Sequence, residues 1–313
     1  MENVGSKRLA VLVGCNYANT PNELHGCIND VLAMRQVLIN RFGFEPHNIQ
    51  LLTDAPGSLI VPTGAKIKEA LDRMVDNAES GDVLYFHYSG HGTRIPSIKR
   101  VHPFHQDEAI VPCDFNLITD VDFRNLVNRV PKGATFTIVS DSCHSGGLID
   151  KEKEQIGPSS LPSDHAPTLD HITKSKTIPF ESILHHLSSS THINTPDLGT
   201  HLLELFGEAA SLSFSLPSHE LHPFPSAHAD TGILLSGCQA NESCADISPN
   251  GNGDKAYGAF TYAIQNVLNE NLKCDLSNKE IVLMARKVLE KQGFGQHPCL
   301  YSSDDHANST FLK

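Results

Sequence analysis

Unbroken apolar runs of strand length alternate with helix-spaced apolar residues through the first half of the chain. That alternation constrains its fold more than any other feature. Arg8-Leu9-Ala10-Val11-Leu12-Val13 is nearly continuous in apolar character, as a strand covered on both faces must be. Asn29 to Phe42 then places Val31, Leu32, Met34, Leu38 and Phe42 near helical spacing and stops at Gly43. Asn48 to Thr53 reads as a second strand, Gly64 to Ala78 as a second helix and Asp82 to His87 as a third strand, followed by a polar loop. Glu108 to Pro112 reads as a short strand, Val121 to Val130 as a helix and Ala134 to Val139 as a further strand. The pattern predicts an α/β fold with a mostly parallel central sheet, helices on both faces and right-handed crossovers.

Beyond Lys151 the composition changes. Pro158, Pro162 and Pro167 lie among Ser, Asp and His with little apolar periodicity, so Gly157 to Lys176 is expected to be mobile. Two amphipathic pieces, Phe180 to Leu187 and Leu198 to Phe206, could pack onto the body. Order is expected to return with a buried strand at Gly232 to Gly237, helices at Tyr257 to Asn269 and Lys279 to Gln292, and a last strand at Cys299-Leu300-Tyr301. The organisation predicted is a large unit over 1–150, a linker over 151–229 and a small unit over 230–313.

The net charge of −12 speaks against a nucleic-acid partner, which would need a basic face. Protonating all 18 histidines would move that charge to +6, so mild acid could remodel the surface, although solvated loop histidines are the plainer reading. No apolar stretch approaches the roughly 20 residues that span a bilayer, and the apolar run from Leu9 to Val13 is too short for the core of a signal peptide. With eight cysteines and no dense disulfide framework, a cytoplasmic or nuclear, reducing compartment is expected, with extracellular presence left open. A monomer is expected.

Two motifs carry the chemistry. Tyr88-Ser89-Gly90-His91-Gly92 and Ser140-Asp141-Ser142-Cys143-His144-Ser145-Gly146 each follow a strand-like run. In an open parallel sheet, ligands bind beyond the carboxyl ends of strands. A thiol and an imidazole at such ends suit a cysteine nucleophile, Cys143, and its base, His91. His144 is a rival base, ranked lower because a sequence neighbour points away from the thiol; His87 reads as a satisfied core histidine. The backbone N–H groups of Gly92 and Cys143 could together hold an oxyanion. Asp141 lies two residues before Cys143 on a strand, so both face one side. Its carboxylate would attract Arg or Lys in a substrate. Asp30 opens the first helix, as helix-start acids do; beside Asp141 it becomes a second pocket wall, with Ser89 as a hydrogen bonder. Asp107, Glu108, Asp120, Asp122 and Asp150 are oxygen donors of the kind calcium takes, but EF-hand spacing is absent. No CxxC or HExxH marks a zinc site.

Tyr-Ser-Gly-His-Gly, Asp-Ser-Cys-His-Ser-Gly and Gly26-Cys27-Ile28-Asn29-Asp30 together resemble the metacaspases of clan CD, and the plant type II group in particular. The resemblance also takes in Lys7 to Tyr17, His25 to Met34, Asp107 to Phe123 and His297 to Tyr301, nearly the whole chain outside the linker. It implies a caspase-hemoglobinase fold and endopeptidase cleavage of proteins or peptides after Arg or Lys. It implies a His91/Cys143 dyad and a basic-residue pocket of Asp30, Ser89 and Asp141. It also implies a zymogen that cuts itself in the linker, with Lys176 the first expectation and Lys174 the second. Many metacaspases require calcium, and Asp107, Asp120, Asp122 and Asp150 resemble their binding acids. The short linker and the many histidines match the members that work without calcium in mild acid, so no cofactor is expected. A role in programmed cell death follows by association alone. The competing readings are an asparagine-specific relative within the clan and an inactive scaffold that binds partners through its acidic face.

Overall fold

The structure, a computed structural model, describes residues 6–96, 106–149, 153–157, 171–216, 232–239, 241–249, 255–272 and 274–313. Asp150 and residues 158–170 therefore lie outside the described residues.

The first half alternates strand and helix. It comprises β1 (Arg8–Gly14), α1 (Cys27–Phe42), β2 (Ile49–Thr53), α2 (Gly64–Asp76), β3 (Val83–Ser89), β4 (Gly92–Pro96), β5 (Gln106–Ile110), β6 (Ile118–Thr119), α3 (Asp120–Asn128) and β7 (Thr135–Asp141). The second half holds β8 (Glu154–Ile156), β9 (His171–Ser175), α4 (Phe180–Thr191), α5 (Leu198–Phe206), α6 (Leu212–Ser215) and β10 (Gly232–Ser236). It continues with β11 (Ala245–Pro249), β12 (Tyr257–Gly258), α7 (Ala259–Glu270), α8 (Asn278–Lys291), β13 (Cys299–Tyr301) and α9 (Asp304–Asn308).

Seven strands form the central sheet in the order β2-β1-β3-β7-β10-β13-β8. The first five run parallel, and β13 and β8 add antiparallel at one edge. Burial explains the continuous apolar runs, because both faces are covered. Val31, Met34 and Leu38 of α1 join Phe260 and Ile264 of α7 and Ile281 and Leu289 of α8 on one face. Ile67, Leu71 and Met74 of α2 join Phe123 and Leu126 of α3 on the other. Strand order reverses between β1 and β3, which is where such sheets open a crevice. Ser89 and Asp141 stand opposite each other in the β3–β7 register, both at that end.

Three expectations are corrected. The loop after His91 is partly a strand, β4, which pairs antiparallel with β5, and its polar residues sit on an edge where the backbone supplies the bonding. The helix expected from Tyr257 begins at Ala259, because Tyr257 and Gly258 pair with β11. The last residues of the stretch to Lys176, expected to be mobile, are ordered. Residues 171–175 form β9 on the edge of β11, and Lys176 is fully buried. Backbone pairing and a buried charge hold that segment, and neither leaves a trace in hydrophobic periodicity. The helices α4 and α5 do pack onto the body, closing an apolar cluster of Ile183, Leu187, Leu198 and Leu202 with Ile95, Val111 and Leu117.

Leu12 is fully buried in the middle of β1 and in the larger core cluster. Leu12→Ala is expected to remove about 2–5 kcal/mol of stability, read as a lower denaturant midpoint with an unchanged slope; an unmoved midpoint would contradict this packing.

Candidate active site

The first turn of α1 and the carboxyl ends of β3 and β7 place Asp30, Ser89 and Asp141 around one buried space, which Lys176, just after β9, enters. Asp30 turns away from the helix backbone and receives Ser89 Oγ at 2.6 Å and the Gly258 amide at 2.9 Å. Asp141 receives the amide and the hydroxyl of Thr261, each at 2.8 Å. Between the two carboxylates lies the ammonium of Lys176. It stands 3.0 Å from Asp141 Oδ1 and 3.5 Å from Asp30 Oδ2, and donates to Ser89 Oγ at 2.9 Å. All three ionisable side chains are almost wholly excluded from solvent. Burial alone would depress the lysine, but the carboxylates around it, Asp141 first and then Asp30, outweigh it and hold Lys176 well above the ordinary value. Burial pushes Asp30 up to about 7, against the pull of Lys176. Gly258 closes the pocket, since a Cβ there would lie 2.2 Å from Lys176 Nζ.

The backbone of the same residue is held with equal definition. Lys176 O accepts from the amides of Gly92 at 3.0 Å and Cys143 at 3.3 Å, the two donors singled out for an oxyanion. Lys176 N donates to Cys244 O at 3.0 Å, and Ile178 N donates to Gly92 O at 3.1 Å. The segment therefore runs through the crevice as an extended strand, antiparallel to β11 before Lys176 and bridged to Gly92 after it. Gly92 cannot carry a side chain, because a Cβ would come within 1.8 Å of Cys143 O. Lys174, the second linker lysine, lies outside the acid pocket, with its ammonium on Glu23 O at 2.7 Å.

His91 stands at the rim, fixed from several sides. Its amide donates to Tyr17 Oη at 3.0 Å, its carbonyl accepts from Tyr88 Oη at 2.7 Å, and its ring lies 4.8 Å from that of Tyr17. Nε2 lies 2.7 Å from Asn22 O, so that nitrogen carries the proton. Nδ1 is then a bare lone pair, buried and without a hydrogen-bond partner. Burial lowers this histidine to about 4, with the Asn22 contact and the nearby Cys143 sulfur opposing. His87, by contrast, bonds Tyr85 Oη at 3.1 Å and Thr261 Oγ1 at 3.2 Å, as a satisfied core histidine does. His144 follows the thiol with φ at 54°, a left-handed residue that turns the chain sharply.

Cys143 Sγ accepts the Cys244 amide at 3.0 Å. Donors from Cys238 and Cys244 draw its thiol well below the usual range, against burial. Around it, Ser140 and Ser142 share a hydrogen bond of 2.8 Å, as do Ser145 and Ser236, tying the loop after β7 to β10. Several of these parts carry no signal in the sequence. Asn22 and Cys244 act through backbone atoms, while Thr261 and Gly258 come from a distant helix start.

The acids considered for calcium have protein partners. Asp122 caps α3, accepting Thr119 N at 2.8 Å and Leu212 N at 3.0 Å, and Asp120 accepts Arg124 at 2.7 Å. Asp107 is buried on β5, and its neighbour Glu108 accepts the Gly147 amide at 2.6 Å. Backbone amides thus engage Asp122 and Glu108, and a guanidinium engages Asp120. Among the described residues, only Cys143, Cys238 and Cys244 bring three ligand atoms together.

Comparison with known proteins finds relatives along nearly the whole chain. The family model of the caspase domain matches residues 7–308. Metacaspase-9 of Arabidopsis thaliana is 63% identical, covering 98% of this chain and 97% of its own length. Metacaspase-6 of the same plant is 40% identical over 97% of this chain and 99% of its own. The crystal structure of a Geobacter sulfurreducens protein superimposes with a TM-score of 0.63 at 18% identity, covering 98% of each chain, and supports the fold.

His91 is expected to titrate near 4 in the intact protein, followed by its ring resonances in NMR. Because its folded value lies below the free imidazole value, it contributes stability that is present above about 6.5 and lost as pH falls towards 4. A midpoint at the free value would contradict the burial of Nδ1.

Proposed function

This chain belongs to the metacaspases, cysteine peptidases built on the caspase domain, and we propose that it cleaves polypeptides after Arg or Lys. In this reading Cys143 is the nucleophile, His91 its base, and the chain is a zymogen that first cuts itself after Lys176. One observation carries the reading. Lys176 has its side chain between Asp30 and Asp141 while its own carbonyl oxygen lies on the amides of Gly92 and Cys143. That is the pose a substrate residue must adopt for its carbonyl carbon to be attacked and the resulting oxyanion to be stabilised.

The chemistry is acyl transfer. The Cys143 sulfur attacks the Lys176 carbonyl carbon as a thiolate, its proton having passed to His91 Nδ1. Negative charge collects on the oxygen that the two amides hold. His91 then protonates the amine of Thr177 as the peptide bond breaks. Water, deprotonated by His91, releases the acyl group. Asn22 O keeps the ring in the tautomer that leaves Nδ1 free, a positioning role served elsewhere by a carboxylate. Two carboxylates favour a cationic side chain over asparagine and exclude an acidic one.

The same reading takes folded or extended proteins as substrates, acts as a monomer, and places the chain in the cytoplasm or nucleus. All eight cysteines are unpaired, as a reducing compartment allows. Among the described residues no helix is long and apolar enough to cross a membrane. The commitments of Asp120 and Asp122 support turnover without added calcium.

Purified Cys143→Ala is expected to stay in one piece, whereas the parent chain yields a fragment beginning at Thr177. Processing of the variant alone would remove Cys143 from the mechanism. With Arg, Lys, Asn and Asp reporters, turnover is expected for the first two only, and to persist in chelator. Asp141→Asn should lower kcat/KM on them by about a hundredfold or more, since it unpairs a buried charge.

A further inference from the structure

The mechanism uses one cysteine of a cluster that contains three. Cys143 follows β7, Cys238 follows β10 and Cys244 precedes β11. Because β7 and β10 are parallel neighbours with Ser140 opposite Ser236, the chain ends bring the first two thiols together, and the turn into β11 delivers the third. All three sulfurs lie within 4.8 Å of one another and all three residues are buried. Both the amide nitrogen and the carbonyl oxygen of Cys244 lie close to Cys143 Sγ, at 3.0 and 3.8 Å. The backbone of Cys244 therefore runs directly beside the Cys143 sulfur.

We propose that Cys244 is a resolving thiol that captures an oxidised Cys143 as a reversible disulfide, which closes the active site under peroxide. The proposal rests on Cys143 being the nucleophile only for its activity readout; the bond itself is independent of that assignment.

The steps balance with hydrogen peroxide as oxidant. The Cys143 thiolate attacks one peroxide oxygen; the S–O bond forms, the O–O bond breaks, and hydroxide leaves and is protonated to water. The Cys244 sulfur then attacks Cys143 Sγ. An S–S bond forms, the S–O bond breaks, and the departing hydroxide takes up the Cys244 proton as a second water. Two thiols have lost two electrons, which the peroxide has gained. Burial and then the Cys143 sulfur beside it keep the Cys244 thiol protonated at rest. Conversion of Cys143 to a neutral sulfenic acid removes the second restraint at the moment the attack is needed. The product blocks substrate on two counts: the nucleophile is consumed, and the strand start whose carbonyl receives Lys176 N is drawn to it. Without a resolving thiol, a second peroxide would take the sulfenic acid to irreversible sulfinic acid. Cys143 is covered by the docked segment, so the self-cut enzyme is the form that reacts.

The full-length protein, allowed to process itself, is treated with hydrogen peroxide, alkylated and digested with trypsin and a protease that cuts after Glu. Cleavage after Glu242 separates Cys238 from Cys244 in the peptide map. The expected result is a Cys143–Cys244 cross-linked peptide, with peptidase activity lost on oxidation and restored by dithiothreitol. Cys244→Ser, each sample normalised to its own untreated control, is expected to recover about tenfold less activity and to accumulate Cys143 sulfinic acid. A Cys143–Cys238 link, no link at all, or equal recovery in Cys244→Ser would overturn the proposal. So would activity loss reversed by chelator and not by thiol, which would mark the cluster as a soft-metal site. The cross-link is read by mass in the parent chain, so it stands even if the variant folds poorly or Cys143 proves not to be the nucleophile.

Discussion

A lysine ammonium with no solvent access, held between two carboxylates, is the interaction on which the arrangement of this molecule turns. Leaving one of those charges without its partner inside the fold would cost about 3–5 kcal/mol. The linker therefore cannot dock at random. Only a residue that brings a cation to Asp141, and a carbonyl to the amides of Gly92 and Cys143, satisfies every buried group at once. Backbone pairing on β11 and side-chain pairing in the pocket fix the segment jointly, to a single register. A slip by one residue would turn the lysine to the opposite face of the strand.

The electrostatics of the crevice follow from how dry it is. Asp30 is pushed up to about 7 and His91 down to about 4, both mainly by desolvation, in opposite directions because one form is anionic and the other cationic. The thiol goes the other way from the neighbouring cysteines: hydrogen-bond donors draw Cys143 down, while the Cys143 sulfur and then burial raise Cys238, and burial and then the Cys143 sulfur raise Cys244. A sulfur stabilised as its anion beside two protonated thiols suits both the peptide cleavage and the sulfur exchange proposed for it. Both follow from placing three chain turns at the carboxyl ends of adjacent strands.

Legibility varied with the kind of force involved. The strands and helices of the first half stood out because burial on both faces of a parallel sheet writes a dense apolar code. His91, Cys143, Asp141 and Ser89 were readable because they sit at strand ends among small residues. Asp30 was ambiguous, since a first-turn acid has an ordinary helix explanation; the structure turns it instead to Ser89 and Gly258. The strands β4, β9 and β11 were missed or misread, because edge strands held by backbone bonds need no apolar alternation. Asn22 was illegible for a related reason: it contributes a carbonyl, which every residue has.

What the sequence determined by itself was the layered α/β architecture, the candidate side chains at the strand ends and the acidic character of the pocket. These depend on residue type and local spacing, which a linear chain records. Only the tertiary structure decided which linker lysine enters that pocket, which carbonyl orients the histidine and which thiols surround the sulfur. Those outcomes depend on contacts between residues more than a hundred positions apart in several cases, closed by backbone atoms that carry no sequence signature.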